Sequence, residues 1–123
     1  SGTDNVAIGF NALASNTTGY YNTAVGVAAL MANIGGSYPV GYNNTGIGFR
    51  SLYANTTGGD NTAVGRMALG ANTTGTKNIG IGLGAGDAIT TGSNNVIIGD
   101  YAGTTTLADT VAIYAGTQGI SCI

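Results

Sequence analysis

The side chains able to carry chemistry are few. The acids are Asp4, Asp60, Asp87, Asp100 and Asp109, the bases are Arg50, Arg66 and Lys77, Cys122 stands alone, and His and Glu are absent. Without His or Glu, general acid–base catalysis lacks its usual groups. A His-ligated zinc or iron centre is excluded, and one thiol makes no cluster. Hydrolysis by paired carboxylates needs two that converge; these five are scattered along the chain and read as solvated turn residues. Gly80-Ile-Gly82-Leu-Gly84-Ala85 matches the loose dinucleotide fingerprint, but that fingerprint works only between a strand and a helix of a βαβ unit. Gly58-Gly59-Asp60 is a scrap of the calcium β-roll consensus, and the full Gly-Gly-x-Gly-x-Asp run does not recur. Three basic residues cannot neutralise a phosphate backbone, which argues against nucleic acid as a partner. The expectation is no enzyme, no cofactor and no metal.

Recognition chemistry is better represented. Tyr38 and Tyr42 flank Pro39, the one proline, inside an irregular stretch over 33–43. Aromatics on a projecting loop suit sugar stacking or protein contact, so Tyr38, Pro39 and Tyr42 form a candidate receptor-contact loop. The competing reading is an insertion whose tyrosines pack back on the body of the fold. Tyr20, Tyr21, Tyr53 and Tyr101 divide in the same way between contact and packing, and Arg50, beside Phe49, is a candidate for an ion pair between subunits.

These residues are carried by a repeat. Asn5-Val-Ala-Ile-Gly9 returns as Asn22-Thr-Ala-Val-Gly26, Asn44-Thr-Gly-Ile-Gly48, Asn61-Thr-Ala-Val-Gly65, Asn78-Ile-Gly-Ile-Gly82 and Asn95-Val-Ile-Ile-Gly99, with a degenerate copy at Thr110-Val-Ala-Ile-Tyr114. The copies start at 5, 22, 44, 61, 78, 95 and 110, so the spacings are 17, 22, 17, 17, 17 and 15. The period is too short for a βαβ unit and suits one coil of a solenoid. Each copy opens with β-branched residues at period two around an Ala or Gly, which predicts a short strand. A second short strand is expected around Leu13, Leu30, Leu52 and Leu69. Asn-Thr-Thr-Gly at 16–19, 55–58 and 72–75 is turn chemistry, and its Asn-x-Thr sequons are by-products of the repeat.

The predicted fold is all-β: a parallel β-solenoid of about seven 17-residue coils over 1–116, with an insertion loop at 33–43 and a tail over 117–123 leading into whatever follows. Ile8, Val25, Ile47, Val64, Ile81, Ile98 and Ile113, with Leu13, Leu30, Leu52 and Leu69, are the expected core ladder. Asn5, Asn22, Asn44, Asn61, Asn78 and Asn95 are the anchors, stacked as an Asn ladder. So thin a core predicts an oligomer, with the Ala/Gly face of the strands as its interface.

Composition agrees with a packed chain: of 123 residues, 43% are apolar, 7% are charged and 23 are Gly, with net charge −2. No apolar run approaches the ~18 residues of a membrane span. A lone Cys makes no disulfide framework. The opening Ser1, in place of Met, reads as part of a longer protein.

The Asn-Val-Ala-Ile-Gly and Thr-Val-Ala-Ile copies resemble the head repeats of YadA-like trimeric autotransporter adhesins. The Asn-Thr-Ala-Val-Gly-x-x-Ala-Leu form with its Asn-Thr-Thr-Gly linker is similar to phage tail-fibre repeats. The resemblance covers 4–116. It implies a trimeric, left-handed β-roll within an extracellular fibre, on a cell surface or virion tail, attaching to a host receptor or glycan. Partners expected are the chain itself, as a homotrimer or end to end, and that receptor; membrane insertion by this segment is not expected. The alternatives are an ice-binding or other surface-templating solenoid, for which Thr17, Thr56, Thr73 and Thr90 and their neighbours Thr18, Thr57, Thr74 and Thr91 would supply Thr ladders, or a self-assembling filament subunit.

Overall fold

A computed structural model describes residues 2–37, 40–115 and 118–120. The chain is all-β, and no helix occurs among the described residues. Seven strands stack in sequence order and in parallel: β1 (Val6–Ile8), β2 (Thr23–Val25), β3 (Thr45–Ile47), β4 (Thr62–Val64), β5 (Ile79–Ile81), β6 (Val96–Ile98) and β7 (Val111–Ala115). They form a β-solenoid of about six turns. Each strand pairs with its own copy in the next coil, as in Thr23↔Thr45 and Val25↔Ile47, so the sequence repeat is the pairing register. An eighth strand, β8 (Gln118–Ile120), falls within the expected tail and pairs antiparallel with β7.

β1 to β6 are short because a Gly in an unusual conformation follows each one; β7, with Tyr114 at that place, runs on to Ala115. Gly48 has φ of 129°, and a Cβ placed there would lie 2.6 Å from the carbonyl oxygen of Gly65 in the next coil. Only Gly accommodates both the dihedral and that contact.

The second arm is not a strand. Leu13, Leu30, Leu52 and Leu69 have φ of 52°, 50°, 49° and 49° in a run of turns. They still join the stack: the Leu30 N–H donates to the Ser51 carbonyl and the Leu52 N–H to the Ala68 carbonyl. Ladder bonding between coils supports the left-handed backbone, a conformation that costs about 1–2 kcal/mol in isolation.

The core is half of the expected ladder, with a different partner. Leu30, Leu52 and Leu69 are fully buried and Leu13 nearly so, but Ile8, Ile47, Val64, Ile81, Ile98 and Ile113 are exposed and Val25 is half-buried. From β2 to β7 the central residue points inward instead: Ala24, Ala63 and Ile97 are 0% exposed, and Gly46, Gly80 and Ala112 are buried, while Ala7 of β1, at the open first coil, is exposed. The interior is narrow, and Leu fills it from the opposite arm. A Cβ on Gly46 would meet Leu30 Cγ at 3.4 Å. Only a small residue fits opposite a Leu, so the period-two pattern places its β-branched pair outside. The Ala/Gly positions therefore lie inside one chain and are not a subunit interface.

Candidate functional site

The anchors build a polar spine. Asn22, Asn44, Asn61, Asn78 and Asn95 are buried, and Asn5 is half-buried at the open first coil. The side-chain oxygen of each accepts the backbone N–H of the next coil, from Asn5 to Asn22 at 2.9 Å through to Asn95 and Thr110 at 3.2 Å. A second ladder runs beside it through the turn residues Asn16, Asn33, Asn55 and Asn72, whose amides link at 3.0, 3.0 and 2.8 Å. The two converge on one carbonyl per coil. Gly58 accepts from Asn44 at 2.9 Å and Asn55 at 3.0 Å; Gly75 accepts from Asn61 at 2.9 Å and Asn72 at 3.1 Å. Among the described residues no buried side-chain N or O lacks a partner. A spine with every donor used has nothing to offer a ligand, so its work is structural. The second ladder was readable from the same spacing of 17 and 22 residues as the anchors, but turn chemistry alone explained those Asn in the sequence.

Two surfaces remain available for contact. The first is the outer side of the strands. Ile8, Val25, Ile47, Val64, Ile81, Ile98 and Ile113 form one column along the whole sheet, all but the half-buried Val25 at least 36% exposed; the column beside it runs Val6, Thr23, Thr45, Thr62, Ile79, Val96 and Val111, with three Thr in its middle. One residue past the strand-ending Gly, Phe10, Val27, Phe49 and Leu83 extend it, while Arg66 and Asp100 hold the same place after β4 and β6. An exposed Val/Ile column of this length marks an interaction surface.

The insertion within 33–43 can be placed by register. Ile34 matches Thr17 and Thr56 in its backbone pairing, and Gly41 matches Gly19, so the added residues are 36–40. Tyr38 and Pro39 lie outside the described residues. Tyr42 packs back on the body: its ring lies 5.8 Å from that of Tyr20, its hydroxyl donates to Asp60 Oδ2 at 3.4 Å, and it covers Gly59.

The second surface is a notch between the Leu arm and the turn that follows the strands. The column occupied by Met31, Tyr53 and Asp87 has Gly70 in its middle, and the missing side chain leaves a cavity of about 160 Å³. Its lining is Arg50, Tyr53, Met67, Gly70, Ala71 and Asp87. The Arg50 guanidinium sits 5.0 Å from the Tyr53 ring centroid and 5.3 Å from that of Phe49. Among the described residues Arg50 is therefore held by rings and by no acid. Only Arg50 and Tyr53 of this group stood out in the sequence; the signal for the rest was one Gly in a column of larger residues.

The Thr side chains serve the stack. Thr17, Thr56, Thr73 and Thr90 donate their hydroxyls to backbone carbonyls one coil on, at 2.9, 3.1, 3.0 and 3.1 Å. Among the described residues no three of His, Cys, Asp and Glu gather as a metal site.

No protein-family model, curated protein or solved structure matches the chain.

Proposed function

We propose that the chain is a non-enzymatic structural module of an extracellular attachment fibre, assembled from copies packed on their Val/Ile faces. The observation that carries this is the exposed Val/Ile column from Ile8 to Ile113. An apolar sheet face left in water is an aggregation hazard unless something covers it, and a repeat of this regularity is best covered by the same repeat on another chain. The repeats' likeness to adhesin heads and tail fibres supports three parallel copies around a common axis, each a left-handed roll with its Val/Ile face inward. The ladder bonding and the two Asn columns make such a rod stiff, as a fibre on a cell surface or virion tail requires. The templating alternative has less support, because the Thr17, Thr56, Thr73 and Thr90 hydroxyls are turned into the stack.

Light scattering on the purified chain, of 12.0 kDa, tests the assembly. A mass of three chains is expected, falling to one chain in the Ile47→Lys/Ile81→Lys variant. A folded wild-type monomer overturns the reading, and thermal hysteresis in its solutions would favour templating.

A further inference from the structure

We propose that the notch over Gly70 binds a pyranose ring carrying a carboxylate, the unit of an acidic polysaccharide. This rests on the attachment reading and gives it a ligand class. Coils stacked at ~4.8 Å leave, where one side chain is missing, a slot about one ring thick. The cavity of about 160 Å³ is well below the ~300–1,000 Å³ of pockets for larger ligands, which suits a single ring. Tyr53 and Met67 offer aromatic and apolar surface to the C–H face of a sugar. Among the described residues neither the Arg50 guanidinium nor the Asp87 carboxylate makes a hydrogen bond or ion pair. Arg50 is thus available to grip a carboxylate with paired N–H donors, and Asp87 to accept from ring hydroxyls. Tyr53, Gly70 and Asp87 lie on the Leu arm, and Arg50 reaches them from the edge of the apolar face, where it stacks on Phe49.

The test follows the backbone amides of Gly70 and Ala71 by NMR while the assembled chain is titrated with methyl glucuronide or methyl glucoside. The glucuronide is expected to shift both amides and to bind about tenfold tighter than the glucoside. Arg50→Gln, at an exposed position, should bring the two ligands to parity. Gly70→Met should abolish the shifts at Ala71 with the solution mass unchanged, since Met31 and Tyr53 occupy the same place in preceding coils. Equal binding of the two sugars, or no response at Gly70 and Ala71, overturns the site. A trimer that binds neither sugar sinks the site and leaves the fibre reading intact; a monomer that binds glucuronide selectively does the reverse.

Discussion

In the coils that begin at Asn5, Asn22, Asn44 and Asn61, the far arm contributes Leu13, Leu30, Leu52 or Leu69, and three residues later Asn16, Asn33, Asn55 or Asn72. In the coil that begins at Asn78 those two places hold Gly86 and Ile89. The exchange is reciprocal. Ile89 is fully buried, and a Cβ on Gly86 would meet Leu69 Cδ2 at 2.8 Å and Ile89 Cδ1 at 3.2 Å. With Leu gone from the arm, the strand of the next coil carries Ile97 at its centre, where earlier coils have Ala24, Gly46, Ala63 and Gly80. Tyr101, Leu107 and Tyr114 complete the packing, and the two tyrosine rings stack at 4.7 Å. The second Asn ladder accordingly stops at Asn72, whose oxygen accepts from Asn78 at 3.5 Å. The lumen has a fixed width: where the far arm supplies Leu the strand centre is Ala or Gly, where that Leu becomes Gly86 the space is filled by Ile89 and Ile97, and the second Asn ladder persists only where Leu does the filling.

This contrast can be broken at several points. Leu52→Ala removes the large interior side chain of its coil and should cost about 4 kcal/mol in denaturant unfolding. Asn61→Ala strips a buried acceptor from the Asn78 N–H and a donor from the Gly75 carbonyl; a loss of roughly 3 kcal/mol is expected by the same measurement. Asn72→Ile alone places a second large side chain opposite Leu69 and should cost about 2 kcal/mol. Adding Leu69→Gly reproduces the later arrangement, so a double-mutant cycle should show favourable coupling of about 1 kcal/mol or more; additive losses would mean that the two fillings are independent. The smallest effect on folding belongs to Ile81→Lys, on the exposed face, expected within about 0.5 kcal/mol for the separated chain while the assembly is lost.

Much of this was legible in advance. The repeat fixed the strands and their register, since each strand's partner is its own copy. The Leu column and the anchor ladder followed from the same stacking. The orientation of the strands did not. A three-residue strand of β-branched, small, β-branched pattern reads as burying its larger pair, and that inference fails when the opposite arm fills the interior first. Ile97 was the one visible hint, a large residue at a position otherwise Ala or Gly. The left-handed Leu residues were also illegible, because their conformation depends on bonds to the neighbouring coil. The notch depends on an absence, Gly70 between Tyr53 and Asp87, and becomes visible only once coils are superposed.

The central claim is that the Val/Ile column is covered by other copies of the chain. Methyl NMR of the native protein with a soluble paramagnetic probe measures this directly at Ile47, Ile81 and Ile98. The account predicts that these methyls are as well shielded as those of Leu52 and Leu69, and that Ile81→Lys exposes the remaining two. Strong relaxation of Ile47, Ile81 and Ile98 in the unaltered protein, with Leu52 and Leu69 protected, would contradict it.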